Sequence, residues 1–190
     1  MSLAGPNVSM NVAPFAPAPG RECGGCTMCC KVYALPEFRK PPGVWCRHCA
    51  PGKGCVIHEA APARCRQFLC SWMTDGTMPD VWRPDRARFV LSVYPPNGFI
   101  YGQVDPGSPA AWRRAPYYDG LRAIAGKLLE ERKHLLMFVG DDATLVLPDD
   151  AVALGKMTPD DNFQIERAFG PAGPSWRVTK VARGGANPAA

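Results

Sequence analysis

The chain has 190 residues, of which 46% are hydrophobic and 21% are charged. This composition is typical of a globular protein that buries a core. The net charge of +5 is modest and no dense run of Lys and Arg occurs, so nucleic acid is not indicated as a partner. No segment contains the roughly 20 consecutive apolar residues of a membrane-spanning helix, which excludes a predicted transmembrane segment.

The first 20 residues contain four prolines and almost no charge, and they show no periodic pattern. We predict a disordered leader over residues 1–20 and a disordered tail over residues 184–190. The leader lacks the basic and apolar regions of a secretory signal, so the predicted location is cytoplasmic. In that compartment cysteine thiols stay reduced, and metal ligation becomes the favoured interpretation of an odd number of cysteines.

All nine cysteines lie between residues 23 and 70, and residues 71–190 contain none. This boundary predicts a small, loop-rich cysteine-cluster module over residues 21–75, organised by metal. An α+β domain over residues 76–183 is predicted to follow it.

Two Cys-x-x-Cys pairs, Cys23/Cys26 and Cys46/Cys49, lie within the cysteine module. Nineteen residues separate them, a spacing typical of zinc sites built from two such pairs. Glycine at position 24 helps the first pair to close around an ion. The spacing therefore predicts a thiolate metal site.

Nine thiols exceed the four ligands of a tetrahedral zinc site. The adjacent Cys29 and Cys30 are expected to point apart, which indicates two neighbouring centres or a polynuclear cluster. His48, inside the second pair, is interpreted as a residue of the turn rather than a ligand. The candidate metal ligands are Cys23, Cys26, Cys29, Cys30, Cys46, Cys49, Cys55, Cys65 and Cys70.

Iron is the alternative metal. Cys23, Cys26 and Cys29 match the first three ligands of a bacterial iron–sulfur run. The run continues with Cys30 instead of three residues and Cys-Pro, so the match is partial. Zinc, an iron–sulfur cluster, or one of each therefore stay open as cofactors.

The cysteine module contains, in order, "CGGCTMCC", "WCRHC" and "GCVIHEAAPARCRQFLC". In these residues the chain resembles the CxxCxxCC (YkgJ-type) cysteine cluster family, which is described as a zinc- or iron-chelating domain. The resemblance covers roughly residues 21–73. It implies as ligands Cys23, Cys26, Cys29, Cys30, Cys46, Cys55, Cys65 and Cys70. A similar cluster occurs in the enzyme that methylates flagellin lysines, which implies an iron–sulfur-dependent, protein-modifying role as an alternative.

The chain departs from the family pattern at three positions. His58 stands where tyrosine is usual, Ala61 stands where an arginine precedes Pro62, and Cys49 is added to the usual eight cysteines. His58 with Glu59 is similar to the start of a metalloprotease helix. Pro62 takes the place of the second histidine, which excludes that interpretation.

The predicted α+β domain begins with a hairpin over residues 88–94 and 99–104, since Asn97-Gly98 is a favourable turn pair. Ser108 and Pro109 predict a helix start, and Pro116 is expected to interrupt or restart that helix. An apolar stripe at helical spacing then follows. Its members are Tyr117, Leu121, Ile124, Leu128 and Leu129.

Residues 134–139 are almost entirely apolar, which predicts a central strand covered on both faces. Residues 144–148 are predicted to pair with it. Residues 163–169 and 176–181 alternate with period two and predict a further hairpin around residues 170–175. The expected fold is α+β, with a mostly antiparallel sheet of about six strands and one main helix.

These patterns predict a metal-binding protein whose partners are metal ions and whose metal is largely structural. A segment rich in Gly and Pro has too few apolar residues to fold unaided. Two alternatives stay open: an iron–sulfur-dependent enzyme or redox protein acting on a protein substrate, and a protein-interaction module. The sequence decides neither enzymatic activity, nor a protein partner, nor the biological role.

Overall fold

The computed structural model describes residues 16–94, 97–157, 161–170 and 173–182. Most of the predicted leader and all of the predicted tail lie outside these ranges. Within them the chain has mixed α+β structure with one long helix, which confirms the predicted class and the single main helix.

The described part of the chain contains five α-helices, and only the last exceeds five residues: α1 Met28–Val32, α2 Ala63–Arg66, α3 Ser71–Thr74, α4 Pro84–Ala87 and α5 Tyr117–Glu130. The strands are β1 Cys49–Ala50, β2 Gly54–Cys55, β3 Phe89–Tyr94, β4 Phe99–Val104, β5 Leu135–Val139, β6 Asp142–Val146, β7 Ala151–Lys156, β8 Asp161–Gly170 and β9 Gly173–Ala182. Single 3-10 turns occur at Pro36–Phe38, His58–Ala60, Asp80–Trp82 and Ala111–Arg113.

The main sheet has five strands in the order β3-β4-β5-β6-β7. Its neighbours are antiparallel except β4 and β5, which are parallel because α5 carries the chain back across the sheet between them. The prediction of one mostly antiparallel sheet of about six strands is therefore corrected. The long strands β8 and β9 pair with each other in a separate two-stranded sheet. The main sheet ends in β7, a strand that the sequence analysis did not predict.

The predicted hairpin of β3 and β4 is confirmed, and β5 is the central strand. The predicted helix start at Ser108 gives only the 3-10 turn Ala111–Arg113. The long helix begins at Tyr117, directly after Pro116. Proline lacks an N–H and disfavours helical geometry in the preceding residue, so the earlier turn cannot continue into α5.

The two faces of the main sheet bury two separate groups of side chains. In β5, Leu135 and Met137 face a first core, whereas Leu136 and Phe138 face a second. This alternation is the period of two expected of a strand covered on both faces. Helix α5 and the cysteine segment (residues 23–70) cover the first face. The hairpin of β8 and β9 covers the second with Phe163, Ile165, Trp176 and Val178.

The cysteine segment, residues 23–70, contributes to the first core. Met28 and Val32 of α1 belong to the same buried cluster as Phe89 of β3. Trp82 packs edge-on against Phe89, with ring centroids 6.0 Å apart, and against Tyr117, at 5.4 Å. The apolar side chains of α1 therefore join the cysteine segment to the sheet, and Trp82 joins β3 to α5.

A buried ion-pair cluster also joins them. The Lys31 ammonium lies 2.7 Å from a carboxylate oxygen of Asp105, which is 0% exposed. The Arg88 guanidinium pairs with the second oxygen, and the Gly107 N–H donates a 3.0 Å hydrogen bond. Burial alone raises the pKa of Asp105, but these three partners outweigh it and hold the pKa below its usual range. Asp105 thus stays charged and fixes α1 beside β4.

Among the described residues, no helix combines the length and the apolar character needed to span a bilayer.

Candidate metal centre

The first Cys-x-x-Cys pair forms a closed turn, in which the Cys26 N–H donates a 2.8 Å hydrogen bond to the Cys23 carbonyl. Gly24 has a φ of +47°, a conformation that glycine adopts without strain. At Gly25 a side-chain carbon would lie 2.5 Å from the Gly52 carbonyl oxygen. Glycine at position 25 therefore lets this turn approach the loop between β1 and β2.

The second pair closes in the same way, with a 3.0 Å bond from the Cys49 N–H to the Cys46 carbonyl. The Cys46 N–H donates to the Cys30 carbonyl at 3.1 Å, which brings this turn against α1. Strands β1 and β2 then place Cys55 opposite Cys49. Three cysteines that are distant in sequence from α1 are thereby brought beside it.

Cys65 lies in α2, and Cys70 directly precedes α3. The Cys70 sulfur accepts hydrogen bonds from the N–H groups of Trp72 and Met73. The Cys26 sulfur accepts from Met28 and from Asp85 of α4 in the same manner. Burial nevertheless raises the pKa of both thiols, and these N–H donors offset only part of that effect by stabilising the thiolate.

The cysteines line two adjoining cavities. The larger has a volume of about 280 Å³ and the smaller about 20 Å³. The larger cavity is lined by Cys23, Cys26, Cys29, Cys30, Cys46, Cys49, Cys55 and Cys65. The smaller is lined by Cys23, Cys26, Cys29 and Cys70. Every sequence-predicted ligand therefore borders at least one of the two, and all nine are free thiols.

The thiols border the cavities without meeting at one point. In the described ranges, no three His, Cys, Asp or Glu side chains are grouped closely enough, as placed, to hold one ion. Cys29 borders both cavities and Cys30 only the larger. Their sulfurs nevertheless remain within hydrogen-bonding reach, because Cys29 donates to Cys30.

The thiols perturb one another strongly. Hydrogen bonds from Cys29 and Cys49, with the charge of Lys40, lower the pKa of Cys30 to about 6 against the opposing effect of burial. Burial, followed by neighbouring sulfurs, raises the pKa of Cys49 to about 12 and that of Cys65 to about 11. Deprotonated sulfurs in this space repel one another, and a bound cation would relieve that repulsion.

Lys40 is a buried cation that the sequence analysis did not single out. It is 7% exposed, and its ammonium donates 3.0 Å hydrogen bonds to the carbonyls of Lys31 and Pro41 and a further bond to that of Tyr33. Burial lowers the pKa of Lys40, while the charge of Cys46 acts in the opposite direction. A single lysine before two prolines has no periodic or motif signal, so only the fold reveals its place beside the thiols.

Two arginines hold the start of the cysteine segment. Arg21 donates to the Trp72 carbonyl at 2.8 Å and lies 4.3 Å from the centre of its ring. Arg83 donates to the Cys23 carbonyl at 3.1 Å, and its charge lowers the pKa of Cys23 against the larger effect of burial. The first Cys-x-x-Cys turn is thus fixed by contacts from residues about 50 to 60 positions away.

The histidines have different positions. His48 packs edge-on against Phe38, with ring centroids 4.8 Å apart, and does not border either cavity. His58 borders the larger cavity from its exposed rim. Its contribution would be a single nitrogen among eight sulfurs.

The donor set fits thiophilic metals. Thiolates select zinc, copper(I) and iron–sulfur clusters, whereas magnesium and calcium require oxygen ligands. The described residues bordering the two cavities include no Asp or Glu, and Tyr33, Leu35, Phe38 and Phe68 form part of the wall. This sulfur-rich, largely apolar lining suits zinc or an iron–sulfur cluster.

No known protein family, curated protein or solved structure matches this chain. The resemblance of residues 21–73 to the CxxCxxCC (YkgJ-type) family therefore stays a prediction.

Proposed function

We propose that the chain is a metal-binding protein whose clustered cysteine thiolates chelate zinc, an iron–sulfur cluster, or one of each. The carrying observation is the convergence of nine free thiols, from three separate stretches of chain, on two adjoining cavities. Binding would draw sulfurs to about 2.3 Å from an ion such as zinc.

The metal is largely structural in this proposal. The regular elements between Cys23 and Cys70 are two to five residues long, too short to be stable alone. The largest space at their centre is bordered by thiols instead of interlocking apolar side chains. Ligation would supply the free energy that apolar packing supplies elsewhere.

We place this function in the cytoplasm, with metal ions as the partners. A reducing compartment keeps cysteines free for ligation. All nine thiols are unpaired, as that role requires.

Elemental analysis of the full chain tests the proposal. The protein is purified anaerobically, and its zinc and iron are measured per chain together with its visible spectrum. We expect one to two metal centres per chain. Both metals together below about 0.1 equivalent, after reconstitution has also been attempted, would contradict thiolate ligation of this kind.

Histidine variants provide matched controls. His48→Ala and His58→Ala alter residues close to the cysteines but remove no sulfur, and we expect both to retain the metal content of the unmodified chain. The double variant Cys46→Ser/Cys65→Ser should lose metal. Equal metal content in all four proteins would show that the bound metal does not sit on the cysteines.

A second candidate, an iron–sulfur redox protein or enzyme acting on a protein substrate, is favoured by the size of the larger cavity. Its volume of about 280 Å³ greatly exceeds the needs of a single ion, since one water occupies about 30 Å³ in the liquid. This candidate predicts a brown protein with sulfur-to-iron charge-transfer absorbance. A colourless, zinc-loaded protein after anaerobic purification would exclude it.

A further inference from the structure

We propose that the nine cysteines form two separate centres that adjoin at Cys29 and Cys30. The first is a four-thiolate centre, and the second draws on the remaining five cysteines. The first set is Cys23, Cys26, Cys29 and Cys70, and the second is Cys30, Cys46, Cys49, Cys55 and Cys65. This division rests on the proposed function and specifies how its ligands are shared.

Cys70 defines the first set. It borders only the smaller cavity, whereas the five cysteines of the second set border only the larger. Cys23, Cys26 and Cys29 border both cavities, and we assign them to the first set because they are the thiols that line the smaller cavity together with Cys70. The charges of Cys23 and Cys26 contribute to the raised pKa of Cys70. The rest of the smaller cavity is apolar, with Phe68, Trp72, Met73, Pro84 and Val90 in its wall. Four sulfurs in such surroundings match the ligand number of one tetrahedral ion.

The second set is coupled internally in the same way. The charges that act on Cys65 include those of Cys30, Cys46 and Cys55. The charges of Cys30 and Cys46 raise the pKa of Cys49, which also donates a hydrogen bond to Cys30. Cys30 also acts on the pKa values of Cys23 and Cys29 of the first set, as expected where two centres adjoin. Five sulfurs are one more than a tetrahedral ion needs, so the second centre tolerates the loss of one.

Helix α1 contributes one cysteine to each set. Successive residues of an α-helix project about 100° apart, and this separation directs Cys29 and Cys30 differently. Cys29 borders the smaller cavity beside Cys70, while Cys30 borders only the larger. Cys29 and Cys30 are consecutive residues of α1, so the two centres adjoin there.

Each set has its own cation. The charge of Arg83 acts to lower the pKa values of Cys23 and Cys26 in the first set. The thiolate charges that raise the pKa of Lys40 come mainly from the second set, from Cys46 and Cys30 first, followed by Cys29 of the first set and then Cys65. An ion with four thiolates is negatively charged, and one nearby cation offsets part of that charge at each centre.

Cobalt(II) titration of the reduced, metal-free full chain tests this division. The unmodified chain should bind two Co²⁺ ions with thiolate charge-transfer bands. Cys70→Ser and the double variant Cys26→Ser/Cys70→Ser should each bind one, because both substitutions fall on the same centre. Cys46→Ser/Cys65→Ser should also bind one, and adding Cys70→Ser to it should abolish binding. Ser71→Ala, beside Cys70, is the control and should bind two.

The outcomes separate the two proposals. An unmodified chain that binds no cobalt would overturn the proposed function itself. One that binds two ions, with both or neither lost in Cys26→Ser/Cys70→Ser, would overturn only the division. Cadmium-113 NMR of the unmodified chain needs no variant to fold. Two resonances in the thiolate region support two centres, and a single resonance contradicts them.

Discussion

The cysteine segment and the five-stranded sheet obtain their order from different sources. In the sheet, Leu135, Leu136 and Leu145 are at most 1% exposed and pack on both faces. Between Cys23 and Cys70, regular structure is limited to elements of two to five residues around thiol-lined cavities. Apolar burial therefore stabilises the sheet by itself, whereas the cysteine segment depends in our proposal on ligation.

The two regions are nevertheless joined. Met28 and Val32 are buried in the first core, and Lys31 pairs with the buried Asp105. The side of the cysteine segment that faces the sheet is held by these apolar and ionic contacts, while the side that faces the cavities is held in our proposal by metal ligation. We therefore expect the stability of residues 23–70 to depend little on metal beside the sheet and strongly on metal beside the cavities.

Metal removal should produce the largest difference between the regions. The loaded protein is treated with a strong chelator and a reductant. Amide exchange over residues 46–70 should then accelerate by about 100-fold or more, because the free energy of local opening falls when ligation is lost. A 100-fold change corresponds to about 2.8 kcal/mol of opening free energy. Amides of β5 and β6 should change far less, because apolar contacts hold them. Hydrogen-exchange mass spectrometry measures both. Equal acceleration in the two regions would refute their separate sources of order.

Asp105→Asn should have the next largest effect, since it removes the charge that joins the regions. The Lys31 and Arg88 side chains are 17% and 38% exposed, so they stay partly hydrated without their buried partner. The loss should therefore lie at the low end for a broken buried ion pair, about 3 kcal/mol of unfolding free energy. Asp80→Asn is the control: it removes an exposed pair with Arg86 whose N···O distance is 3.8 Å, and it should cost less than about 1 kcal/mol. Urea unfolding of the loaded proteins compares them. A similar cost for both variants would show that the buried cluster does not join the regions.

Leu136→Ala tests the sheet alone. Leu136 is 1% exposed in the second core, and its truncation should lower the free energy of unfolding by about 3 kcal/mol. The chelated protein should show the same loss, because the second core, to which Leu136 belongs, contains no residue of the cysteine segment. Val56→Ala, at a side chain that is 69% exposed, should change stability by less than about 0.5 kcal/mol. Thermal or urea unfolding with and without metal provides the four comparisons.

Two glycines of α5 should show the smallest effects, with opposite signs. At Gly126 a side-chain carbon would make ordinary contact with Pro148 at 3.7 Å, so Gly126→Ala should stabilise the protein by up to about 1 kcal/mol. At Gly120 it would lie 2.4 Å from the Trp82 ring, and Gly120→Ala should destabilise by about 1–3 kcal/mol. Melting temperatures measure both. Stabilisation by both substitutions would contradict the close packing of Trp82 on α5.

Patterns that depend on neighbouring residues were predictable. The turn pair Asn97-Gly98 gave the hairpin of β3 and β4, and Pro116 gave the start of α5. The apolar run at residues 134–139 gave the central strand. The pairing of β8 and β9 apart from the main sheet was not predictable, because alternation shows that a strand has two faces but not which neighbour it joins.

The sequence by itself determined that this chain is α+β and which nine residues are the candidate metal ligands, since residue type and short-range spacing indicate both. Only the tertiary structure decided that Cys70 borders a different cavity from Cys65, that Lys40 is buried beside the thiols, and that Asp105 holds α1 against the sheet. The physical reason is that burial and charge pairing depend on residues distant in sequence. Local pattern contains no information about such contacts.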